Sequence, residues 1–144
     1  MATRTQGSTA FMTRTRNGAL AGIGGGIVFG ALMAMMGMLP MIAMLVGSTS
    51  AVVGALVHLV TSAGLGVLFA LVVPALAAPA LLGAGALYGV VWWVLGPLLI
   101  MPAWLGGPLF TIDTMALTSL MGHVVFGVVA AGVLVLLRRR VHSA

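Results

Sequence analysis

Apolar residues run along this chain in four long stretches, separated by short clusters of glycine, serine, threonine and proline. The stretches cover 18–46, 51–73, 80–101 and 115–137, and each is close to the roughly 20 residues that cross a bilayer core. None shows one apolar stripe against a polar face; helices apolar all round belong in lipid or in a large core. The pattern therefore predicts four transmembrane helices. The first two breaks, Gly47-Ser48-Thr49-Ser50 and the stretch from Pro74 to Pro79, are short enough for hairpins. The third, from Pro102 to Asp113, is longer and semi-apolar. It is expected in the interfacial layer with Trp104 at headgroup level, or folded over the bundle mouth as a small lid.

Small residues add a second pattern. Gly18, Gly22, Gly26 and Gly30, continued by Ala34, recur at four-residue spacing in the first stretch. Gly54, His58, Ser62, Gly66 and Ala70 do so in the second, and Ser119, His123, Gly127 and Ala131 in the fourth. Such stripes let transmembrane backbones touch, and a titratable group buried at the contact is costly enough to require a reason. Gly24, Phe29-Gly30 and Gly37 are spaced as Gly83, Tyr88-Gly89 and Gly96 are later. The chain thus reads as a tandem duplication of a two-helix unit, a parallel repeat with His58 and His123 as symmetry mates. Both histidines are expected roughly 11 Å below the same end of the bundle, facing across its axis. Pro40 and Pro97 should break their helices and free the carbonyls of Met36 and Trp93, whereas Pro102 should simply end its helix.

Composition settles the class. Hydrophobic residues make up 62% of the 144, charged residues 5%, and the mean hydropathy is +1.27, which leaves no polar shell for a water-soluble domain. The charges are Arg4, Arg14, Arg16, Asp113 and the run Arg138-Arg139-Arg140. A net charge of +5 confined to the two ends speaks of membrane orientation; without a basic face on a folded domain, nucleic acid is not an expected partner. With an even number of crossings, residues 1–17 and 138–144 are expected as cytoplasmic tails. Residues 1–17 also have the composition of a mitochondrial targeting peptide, but the stretch that follows is too long for a cleaved secretory signal. Cysteine is absent, which excludes disulfides and thiolate chemistry.

The segment Gly83-Ala84-Gly85-Ala86-Leu87-Tyr88, leading to Gly96-Pro97-Leu98-Leu99 and then to Gly122-His123-Val124-Val125, resembles the C-terminal part of YagU-type bacterial inner-membrane proteins. Val57-His58-Leu59-Val60 is similar to an earlier segment of that family. The resemblance covers about two thirds of the chain, which is shorter than the family, poor in acids and without a sizeable outer loop. It implies a bacterial inner-membrane protein and no particular mechanism.

Candidate chemistry centres on His58 and His123. Two neutral imidazoles on facing apolar helices are what haem iron needs, although no cation lies in the outer loops to meet its propionates. With methionine thioethers they also suit Cu(I). At 100° per residue Met33, Met36, Met41 and Met44 share one helix face, and Met33 and Met44 are the metal-ligand candidates beside the histidines. Methionine is also a common filler of irregular gaps. In a structural reading, each imidazole donates to a backbone carbonyl and accepts the hydroxyl proton of Ser62 or Ser119. Asp113 is placed to cap the fourth helix, with a proton or cation entrance as its alternative role. Trp92 and Trp93 lie mid-segment, so at least one should find an internal acceptor. His142 is expected in the solvated tail.

The expected protein is an all-α bundle of four transmembrane helices in a bacterial cytoplasmic membrane, tied together at Gly18, Gly22, Gly26, Gly30, Gly54, Ser62, Gly66, Gly89, Ser119 and Gly127. It has no catalytic set. It is expected to work as an accessory subunit of a membrane complex or as a self-associating module, with the lipid bilayer and other copies or subunits as partners. The alternatives are a haem- or copper-binding redox or metal-handling protein, and a small proton or solute transporter acting as an oligomer.

Overall fold

The computed structural model describes residues 2–141, with side chains from 7 to 139. His142 lies outside the described residues. Four long helices are joined by two short helical caps. They are α1 (Ala2–Met35), α2 (Leu39–Ala43) with a 3-10 turn (Met44–Val46), α3 (Ala51–Val72), α4 (Ala78–Leu95) with a π turn (Gly96–Ile100), α5 (Met101–Leu105) and α6 (Thr114–Val141). Four spans are long and apolar enough to cross a bilayer: Gly7–Met35, Ala51–Val72, Ala78–Leu105 and Thr114–Arg139. No strand occurs among the described residues. The chain is an all-α, multi-pass membrane protein.

Boundaries differ from the sequence pattern in the first and third stretches. The first helix does not begin at Gly18 or run on to Val46. It starts at Ala2 and stops at Met35. Gly37 takes φ +67°, which turns the chain left-handed. Met38 N–H then donates to Met33 O and Gly37 N–H to Ala34 O, the two bonds that close a helix C-terminus. Gly47 repeats the device one cap later, with Ser48 N–H donating to Ala43 O. Pro40 consequently breaks nothing. It sits in the first turn of α2, where its missing N–H has no intrahelical partner to lose.

In the third stretch the expected stop at Pro102 is likewise overturned: Pro102 occupies the first turn of α5 and the helical path continues to Leu105. Two prolines are absorbed in succession. Pro97 has no N–H to offer four residues back, and the helix widens into the π turn there. Pro102 leaves Leu98 O without its own-helix donor, and Phe110 N–H takes it at 2.8 Å from the following loop. Phe110 adopts φ +54° at that point.

Packing is set by small residues. Gly18 abuts Gly66, Val67 and Ala70; Gly22 abuts Ser62 and Gly66; Gly26 abuts Ser62; and Gly30 abuts the His58 ring. The first glycine stripe is therefore occupied by α3. The neighbouring face of α1 meets α6, with Gly25 against Phe126, Gly24 against Val133 and Phe29 against Gly122. Gly85 and Gly89 of α4 lie on Gly127 and on His123 and Val124 of α6. Helix α1 thus packs along both α3 and α6, and α4 along α6. Helices α3 and α4 approach through side chains: Tyr88 OH donates to Leu65 O at 2.8 Å, and its ring lies 4.9 Å from that of Phe69. Phe69, Leu81 and Leu134 are the largest fully buried side chains.

The registers place the N-terminus of α1, the C-terminus of α3, the N-terminus of α4 and the C-terminus of α6 at one end of the bundle. Arg14 reaches across that end and donates to Ala70 O at 2.7 Å and Leu71 O at 3.1 Å, the last-turn carbonyls that α3 cannot satisfy itself. The other end carries the two caps and Asp113.

Candidate functional site

The histidine pair is built around Phe29. This ring leaves α1 toward α6 because Gly122 offers no side chain there. His58 meets it edge-on with ring centroids 5.3 Å apart, and His123 meets it edge-on at 4.8 Å. The two imidazoles share one aromatic neighbour. Phe29 also belongs to a buried cluster with Met33, Met38 and Phe126.

Each imidazole is fixed by a carbonyl, and a carbonyl oxygen can only accept, so the facing ring nitrogen carries the proton. His58 Nε2–H donates to Gly26 O at 3.0 Å, from α3 across to α1. His123 Nδ1–H donates to Ser119 O at 2.7 Å, within α6. The neutral rings then keep His58 Nδ1 and His123 Nε2 as acceptors. A ring N–H tied to a backbone carbonyl is also how metal-ligating histidines are oriented.

The hydroxyl partner expected for each histidine is not there: the His58 ring bonds to Gly26 O and takes no hydrogen bond from Ser62. Ser119 Oγ–H donates to Ala116 O at 2.8 Å, because its own preceding turn is nearer than the ring. Trp93 Nε1–H donates to the same carbonyl at 2.7 Å, which supplies the internal acceptor that a mid-membrane tryptophan needs. Ala116 N–H in turn donates to Asp113 Oδ1 at 2.7 Å, so Asp113 caps α6 as its position suggests. Gly54, Ser62, Gly66, Ser119 and Gly127 are all buried at helix contacts.

The methionine pair does not hold together as a one-helix face. Met33 is 2% exposed in the Phe29 cluster, whereas Met44 is 47% exposed in the 3-10 turn. The helix that would have aligned them stops at Met35, and Gly37 turns the chain away. Among the described residues no group of three or more histidine or acidic side chains gathers into a metal-binding set. No fully buried side-chain nitrogen or oxygen among them lacks a hydrogen-bond partner.

Residues that the sequence pattern underrated are Phe29, Tyr88 and Arg14. The pairing of Phe29-Gly30 with Tyr88-Gly89 marked the first two; nothing in the order of residues marked Arg14 as a helix cap. No family model matches the chain, and neither a curated protein nor a solved structure matches it.

Proposed function

We propose that this is a non-enzymatic membrane protein, an accessory subunit or self-associating helical module of a bacterial cytoplasmic membrane with both termini in the cytoplasm. The observation that carries the reading is the satisfied interior: among the described residues the fully buried polar side-chain atoms have internal partners, and each histidine is tied to a backbone carbonyl. Exposed apolar side chains such as Val52, Val60 and Leu87 line the outside, at 71%, 73% and 65% exposure. Such surfaces meet lipid or other helices. The arginine-bearing end supports the cytoplasmic assignment through the positive-inside rule.

The matching seams support a tandem duplication as part of this proposal. Gly26 on Ser62 and Gly30 on His58 in one half answer to Gly85 on Gly127 and Gly89 on His123 in the other. The kinship with YagU-type proteins is part of the same proposal and rests on the short motifs quoted above.

A second reading, a haem or copper protein using His58 and His123, draws on the fixed ring tautomers. Against it, a porphyrin bridging both imidazoles would have to take the space that Phe29 fills. One preparation tests both readings: mild detergent extraction followed by mass determination of the intact particle, an absorption spectrum and metal analysis. A colourless, metal-free assembly larger than the single chain is the expected result. A Soret band or stoichiometric copper, lost in the His58→Ala/His123→Ala double variant, would overturn the first reading. A colourless, metal-free monomer would remove it as well.

A further inference from the structure

We infer that the histidine pair, reached from the lipid between α3 and α4, binds the dihydroxylated ring of a lipid-soluble quinol. Each imidazole spends one nitrogen on a backbone carbonyl and keeps the other as an acceptor, and the ring geometry sets where that acceptor points. The Cδ2–Nε2 edge of His58 faces Gly30 and Gly26 on α1, so the opposite corner of the ring, Nδ1, is turned away from α1. His123 is anchored to its own helix through Nδ1, and its far corner, Nε2, stands 4.0 Å from where a Cβ of Gly96 would be. Gly96 therefore leaves this nitrogen uncovered at the π turn of α4.

Neither acceptor takes a hydrogen bond within the described residues. Fully buried polar side-chain atoms there all have partners, so both nitrogens reach accessible surface. Phe29 lies against both rings and holds them at one level of the bundle.

The opening is on the α3–α4 side. The other seams close where glycines meet backbone, whereas α3 and α4 are held by Tyr88, whose hydroxyl donates to Leu65 O. One turn from Leu65 toward the caps, on the same side of α3 and at the level of His58, Thr61 is exposed and its hydroxyl makes no hydrogen bond within the described residues. On α4, Trp92 stands one turn from Tyr88 with its ring edge-on at 6.1 Å. A path from lipid past Thr61 and Trp92 leads to the imidazoles.

These features select the ligand. Entry from lipid requires a molecule carried in the bilayer. It must be neutral, because the chain's formal charges lie toward the ends of the bundle and an ion among neutral groups at this depth is costly. It must donate twice, since both free nitrogens only accept. The aromatic edges of Phe29, Tyr88 and Trp92 favour a flat ring. A hydroquinone ring has two O–H donors on opposite sides and an aromatic face; its oxidised form offers carbonyl acceptors and can bond to neither nitrogen. The site therefore distinguishes the two oxidation states by hydrogen bonding. Binding involves no redox step and leaves the non-enzymatic reading in place.

The test uses full-length protein in phosphatidylcholine nanodiscs, washed with chelator so that no metal competes for the same nitrogens. These are dialysed under argon against protein-free nanodiscs in the presence of decylubiquinol or decylubiquinone, and the amount in each compartment is measured by chromatography. Decylubiquinol is expected to concentrate on the protein, with an affinity about five-fold or more above that of decylubiquinone. His58→Leu and His123→Leu should each lower quinol affinity about five-fold and leave the quinone unchanged. Gly96→Leu covers His123 Nε2 at a backbone φ of −75° that accepts a side chain, and it touches neither imidazole's own hydrogen bond. It should lower quinol affinity as His123→Leu does, and it decides the matter where a histidine variant melts early. Even partitioning of the quinol between discs with and without protein would overturn the proposal. So would quinone held as tightly as quinol, or undiminished quinol binding in Gly96→Leu.

Discussion

The two halves of the bundle use one register and hold their histidines differently. At the first seam Gly30 faces the His58 ring, whose Cδ2 lies 3.2 Å from where a Cβ would stand, and the imidazole bridges α3 to α1 through Gly26 O. At the second seam Gly89 and Gly127 meet backbone instead: Gly89 lies on the His123 carbonyl and Gly127 on the Gly85 carbonyl. Main chains touch at the first seam too, where Gly22 meets the Ser62 carbonyl and Gly66 meets Gly22, but not at the level of its histidine; Gly127 stands where the first half has Ser62, and the main-chain contact of the second seam extends to His123. The ring of His123 then bonds within its own helix, to Ser119 O. Contact through backbone and a bridging side chain are alternative ways of fastening two helices in lipid, where packing and hydrogen bonds replace the hydrophobic drive. The same histidine at matching positions is a clasp between helices in one half and a fitted side chain in the other.

That contrast is most easily broken at the backbone contacts. Gly127→Leu should destabilise the α4–α6 seam by about 3 kcal/mol or prevent assembly, because the added atoms meet the Gly85 backbone, which cannot move aside as a side chain can. Unfolding in a denaturing detergent titration measures it. Gly30→Ala, facing a movable imidazole edge, should cost well under half as much. Equal losses would mean that the two seams are equally tight at the level of their histidines.

Histidine replacement comes next in size. His58→Ala removes an interhelical bond and should cost about 1 kcal/mol, within the range for such bonds in membranes. His123→Ala removes a bond local to α6 and should cost about half of that. Thermal midpoints of the two variants side by side read the difference; a larger loss for His123→Ala would reverse the assignment of clasp and fitted side chain.

Smaller effects sharpen the ends and the outside. Asp113→Ala should cost about 1 kcal/mol or less through the lost cap, with Asp113→Asn retaining most of it. Hydrogen exchange at the start of α6 would localise the fraying. Gly83→Ala should be neutral or slightly stabilising, since its Cβ would stand in open space. A marked loss at Gly83, scored by the same denaturation, would show that another helix covers α4.

Much of this was legible in the order of residues. Asp113 lies next to the start of an apolar run, which is enough to make it a cap, and at least one of Trp92 and Trp93 was bound to need an internal acceptor because lipid provides none; Trp93 is the one that takes it. Legibility failed where a local rule has two structural outcomes. Pro40 reads as a helix breaker, yet the chain had already stopped at Gly37; Pro102 reads as a stop, yet Phe110 N–H satisfies the carbonyl it orphans. The Met33 and Met44 pairing failed for the same cause, since it assumed one continuous helix through a turn that Gly37 makes possible.

By itself the sequence determined that this protein lives in a bilayer with four crossings, because the length and polarity of each stretch leave no other place for them. It also determined which positions are small enough for helices to meet. Only the tertiary structure decided which helices meet there. A glycine stripe is equally ready for any partner, and it was the three-dimensional path that gave the stripe on α1 to α3 and the adjacent face to α6. The same holds for the histidines: residue order places them at corresponding depths, but the approach of the backbones decides whether an imidazole reaches across to Gly26 or folds back on Ser119.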